Sequence, residues 1–110
     1  MSATDAALRL LEPVDGATVE TAGKVVPAWD RILDDSFIAM CSDGERALIW
    51  AALQLYNGGG RDLHCDLHRA VVYLDDENYR RLIQALADVR GWLVALAIPV
   101  GAKGDWRHAG

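Results

Sequence analysis

The segment His64-Cys65-Asp66-Leu67-His68 gathers the residue types in this chain that could hold a metal. Histidines at i and i+4 share one helix face and can bind a single zinc ion. A closed structural site needs four ligands, and only the distant Cys41 or His108 could add to the set. Zinc sites legible in a sequence usually show two paired ligand sets. The favoured reading is a solvated helix face with Cys65 as a small hydrophobe, and a His64/His68 metal pair is its alternative.

Other chemistry-bearing groups reduce to structure. Gly58-Gly59-Gly60-Arg61 follows a helical pattern and lacks the Lys-Ser/Thr of a phosphate loop, so it reads as a joint. Asp34-Asp35 and Asp75-Asp76-Glu77 could serve as acid and base or hold a hard cation. Nothing around them is placed to shift a pKa, and helix capping accounts for both groups. Cys41 precedes a helix start, where a thiol can become nucleophilic, but no histidine base is near it in sequence. The serines, Ser2, Ser36 and Ser42, show no G-x-S-x-G pattern. The expectation is no catalytic residue, no cofactor and no enzyme.

These groups are carried by elements that punctuation separates. Residues 1–12 read as a helix closed by Pro13. Thr18, Val19, Thr21, Val25 and Val26 flank Ala22-Gly23 as a possible small β-hairpin. Pro27 suits the first turn of a helix carrying Trp29, Ile32 and Leu33, and a further turn holds Phe37, Ile38 and Met40. Ser42-Asp43-Gly44-Glu45 fits a capping box. The helix it opens runs to Tyr56 with a wide apolar arc, the mark of the most buried helix, and Asn57-Gly58 ends it.

Residues 62–72 read as a shorter helix with Leu63, Leu67, Ala70 and Val71 inward. A long helix over 76–90 follows, with Asp75 as N-cap. Its stripe of Tyr79, Leu82, Ile83, Leu86 and Ala87 faces the core, and Gly91 stops it. Residues 92–98, apolar and partly β-branched, read better as a strand, with a buried helical turn as the alternative.

The 110 residues carry a formal charge of −5, with 52% hydrophobic and 25% charged residues. That is the balance of one soluble globular domain rather than a disordered chain. Two cysteines cannot build a disulfide scaffold, and a reducing cytoplasm is the simpler setting. No stretch approaches the ~20 apolar residues that span a bilayer, so no membrane contact is expected.

Residues 44–107, GERALIWAALQLYNGGGRDLHCDLHRAVVYLDDENYRRLIQALADVRGWLVALAIPVGAKGDWR, resemble a winged helix-turn-helix domain in the order of their elements. Arg90-Gly91-Trp92-Leu93-Val94 looks like the end of a recognition helix feeding a wing, with residues 99–105 as the wing tip. The resemblance implies a mainly α (α+β) fold: a compact helical bundle with a helix-turn-helix-like core and a short C-terminal strand or wing. One domain over 1–110 is expected, with N-terminal helices and a small hairpin over 1–41 and the winged-helix-like core over 42–107.

For the family the resemblance implies DNA contact through Arg80, Arg81, Gln84 and Lys103. Three carboxylates at the leading tip of that helix would be repelled by a duplex. The first expectation is therefore a small cytoplasmic interaction module that docks on a protein or on itself. Its contacts would be Asn78, Arg81, Gln84, Trp106 and Arg107. Trp106 beside Arg107 has the composition of an interface anchor, and the equal alternative is a tail that folds back so that Trp106 caps the core. A DNA-binding regulator is the alternative, and a metal protein the third.

Overall fold

The computed structural model describes residues 3–57, 63 and 65–97, with Asn57 and residues 92–97 described as backbone. The described residues are mainly helical, with six helices and one small antiparallel sheet among them, the class the sequence predicts. Helix α1 (Ala3–Leu11) buries Ala6, Ala7, Leu10 and Leu11, a single face at i, i+1, i+4 and i+5. The hairpin forms from β1 (Thr18–Thr21) and β2 (Lys24–Pro27), with Val19 opposite Val26 and Thr21 opposite Lys24. Its tip sets Ala22 at φ 53° and Gly23 at φ 78°. Two successive positive φ values match the right-handed twist of the strands.

Pro27 departs from expectation. It closes the ladder opposite Thr18 and is buried. The amide that bonds back to the Ala17 carbonyl belongs to Ala28. A proline fits this last ladder position because no donor is required of it. Helices α2 (Trp29–Ile32) and α3 (Asp35–Met40) follow, and the Asp34 carboxylate caps α3 by accepting from the Phe37 amide at 3.2 Å.

Helix α4 (Asp43–Asn57) opens with the reciprocal capping box. The Ser42 amide donates to Glu45 Oε1 at 2.9 Å, and the Glu45 amide donates to Ser42 Oγ at 3.1 Å. Ala47, Leu48, Ile49, Ala51, Ala52 and Leu53 are buried on it, and it packs against α1, α5 (Leu67–Tyr73) and α6 (Asp76–Ala97). Leu48 and Ile49 each contribute about 1.5–3 kcal/mol by leaving water, and α4 is the centre of the core.

Two expected elements change. The helix expected over 62–72 begins only at Leu67. Asp66 stands there in extended conformation with its carboxylate accepting from the Arg69 amide at 2.8 Å, a cap that fixes the start. Leu63 and Ala70 are buried as expected, but Leu67 and Val71 are exposed.

Helix α6 does not stop at Gly91. It runs to Ala97, so residues 92–97 are helical rather than a strand. Glycine costs a helix only about 1 kcal/mol, and Trp92-Leu93-Val94-Ala95-Leu96-Ala97 contains several good helix formers. The nearest strong breaker is Pro99, which disfavours helix at the residue before it. Ile98 and the expected wing tip at 99–105 lie outside the described residues. Among the described residues, no helix is long and apolar enough to cross a membrane.

Candidate functional site

The orientation of α6 decides what the surface offers. Leu82, Ala85 and Val89 are its buried positions, at i, i+3 and i+7. Arg81 and Asp88 flank that stripe on the side of α1. Arg81 Nη1 donates to the Arg9 carbonyl at 3.0 Å and pairs with Glu12 at 3.1 Å. Asp88 pairs with Arg9 and also accepts from Gln84 Nε2 at 2.9 Å. With these contacts holding one flank of α6 against α1, the opposite flank carries Tyr79, Ile83 and Leu86.

These three residues and Ala87 were expected in the core, and the structure leaves all four exposed, Ile83 to 46% and Leu86 to 42%. A helix has one direction of closest contact, and here it passes through Leu82 rather than midway between Leu82 and Ile83. The flank falls outside. Helix α5 repeats the pattern, with Leu67 exposed to 64% and Val71 one turn later to 49%.

Helices α5 and α6 are joined through Leu74 and Asp75, and each packs on α4. Among the described residues they make no comparable contact with each other. The result is an apolar groove of about 80 Å³, lined by Trp50, Ala51, Gln54, Leu55, Leu67, Leu82 and Leu86. Trp50 and Leu55 of α4 are half-buried there, and Leu67 and Leu86 form its banks.

The acidic tip stands beside this face. Asp75 caps α6, accepting from the Asn78 amide at 2.8 Å, and Asp76 and Glu77 occupy its exposed first turn. Capping is the role expected for both acidic groups, and the Asp34 and Asp75 bonds fulfil it.

The sequence-expected contact residues scatter. Arg81 is committed to α1, Gln84 to Asp88, and Asn78 is half-buried. Arg80 is exposed. Lys103, Trp106 and Arg107 lie outside the described residues. His68 is exposed, while His64 and His108 are outside the description. Among the described residues, no three His, Cys, Asp or Glu side chains are grouped to hold a metal ion.

Both thiols are free. Burial foremost, with Glu45 nearby, pushes the Cys41 thiol above its ordinary range, only partly offset by Arg46. Burial and the Asp66 carboxylate do the same to Cys65. Both stay protonated at neutral pH, so neither is the activated thiolate that a position near a helix start can create. Cys65 also lines a polar pocket of about 360 Å³ with Asp43, Arg46, Leu63, Arg69 and Tyr73. Arg46 is engaged there by the Cys41 carbonyl at 3.1 Å and by Asp43 at 3.5 Å.

The apolar face is what sequence reasoning missed. Its signal was the width of the α6 stripe: five apolar residues in two overlapping rows exceed what one packing line can cover. No family model matches the chain, and no curated protein or solved structure gives a significant match to it.

Proposed function

We propose that this chain is a non-enzymatic docking module that binds polypeptide through the apolar face of α4, α5 and α6. The observation that carries the reading is the exposed set Leu67, Val71, Tyr79, Ile83 and Leu86, of which Leu67 and Leu86 line a groove together with Trp50 and Leu55 of α4. A groove of that size takes one apolar side chain, the anchor of an amphipathic helix laid across the face with its apolar side inward. A net charge of −5 and three carboxylates at the start of α6 favour polypeptide over a polyanion.

Of the four residues in the duplex-binding reading, Arg81 and Gln84 are engaged within the fold and Lys103 is undescribed, which leaves Arg80. The helix-turn-helix part of the winged-helix reading of residues 42–107 is likewise a proposal, supported by the order α4, α5, α6 and the short α5–α6 turn, whereas the strand it expected over 92–98 is helix as far as Ala97. Two free cysteines support a reducing, cytoplasmic setting.

The test compares Leu67→Glu/Ile83→Glu with Met40→Glu, a change at the 87% exposed end of α3 on a different pocket. Both variants should keep the helical circular dichroism of the parent. Capture of a defined partner should be lost in the first and retained in the second. Equal capture by both would reject the face.

A further inference from the structure

Resting on the docking reading above, we propose that the polypeptide this face takes is a second copy of the same chain, with the two α6 helices packed antiparallel about a two-fold axis. Asp76, Tyr79, Ile83, Leu86 and Arg90 follow one another along α6 at spacings of three, four, three and four residues. That alternation forms the seam of a helix pair, because it keeps one line of side chains facing a partner helix. All five residues are exposed. The buried row of Leu82, Ala85 and Val89 lies beside this seam, so α6 can serve the core and a partner at once.

The charges at the two ends of the seam select the partner and its direction. The acids Asp75, Asp76 and Glu77 stand at the start, and Arg90 stands fourteen residues beyond Asp76, about 21 Å along the axis. A second copy laid antiparallel, with Ile83 against Ile83, sets the acidic start of each helix beside Arg90 of the other. The two-fold makes this happen twice, since in such an interface residue i meets j and j meets i. A parallel pair would instead bring three carboxylates against three carboxylates. The seam is therefore complementary to itself in one direction only. Leu67 and Val71 of α5 extend the apolar face beside it.

Light scattering after size exclusion, over a range of protein concentrations, tests this on the full chain. The expected result is a concentration-dependent dimer that Ile83→Asp converts to monomer with its helical circular dichroism retained. Two charge reversals hold the test even where Ile83→Asp misfolds. Asp76→Arg and Arg90→Glu should each weaken self-association by about tenfold, as like charges meet at both ends. An equimolar mixture of the two variants should recover a mixed dimer, because each acid again faces a cation. A wild-type chain monomeric at every concentration overturns the second copy, and the capture experiment then decides the docking face separately. A dimer indifferent to Ile83→Asp and to both reversals also overturns it, since its interface would lie elsewhere.

Discussion

Arg81 shows how one side chain settles which face of a helix is outside. Its guanidinium donates to the Arg9 carbonyl and pairs with Glu12, while Arg81 Nε is buried without a partner. The two contacts differ in weight. Glu12 is exposed, and an ion pair in such a setting contributes about 0–1 kcal/mol. The hydrogen bond from a charged donor to a backbone carbonyl is worth about 1.5–3 kcal/mol. Arg81→Ala should therefore lower stability by about 1–3 kcal/mol in chemical denaturation, and Glu12→Gln by under about 1 kcal/mol. Equal losses from the two would show that the ion pair, rather than the carbonyl contact, holds α6 to α1. The sequence identified Arg81 as a contact residue but could not say for what, because its partners lie more than sixty positions away in α1.

At the scale of elements, local signals were legible wherever the chain satisfies its own backbone locally. The Ser42/Glu45 capping box, the Asp75 cap and the Ala22-Gly23 turn all use partners within three residues, and all form. The end of α6 was not legible. Gly91 resembles a stop signal, yet a helix ends at glycine only when the glycine turns left-handed, and residues 90–97 continue as helix. A side chain at Gly91 would meet nothing within 4 Å. Gly91→Ala should raise stability by about 0.5–1 kcal/mol, the entropy an interior helical glycine loses. A loss of similar size in the same denaturation measurement would mean that Gly91 caps the helix after all. The choice between the two α6 rows was equally beyond local reading. Periodicity shows that apolar residues share a side, whereas the packing of α1 and α4 decides which of them touch the core.

Across the whole molecule, α4 carries the core, α1, α5 and α6 each pack against it, and α1 also packs against α6. The mainly helical class was readable from periodicity and composition, because burial of apolar stripes governs both. The exposed apolar face was not, since it arises from α5 and α6 each packing on α4 rather than on each other. Its apolar residues are spaced like core residues, and only the assembled bundle separates the two. The direct test is side-chain footprinting with a reactive carbene, comparing the protein inside its native cell with the protein purified and highly diluted. The account predicts that Leu67, Val71, Tyr79, Ile83 and Leu86 are protected in the cell and labelled when dilute, while Met40 and Val25 are labelled equally in both. Equal labelling of the five residues in the two conditions would contradict it.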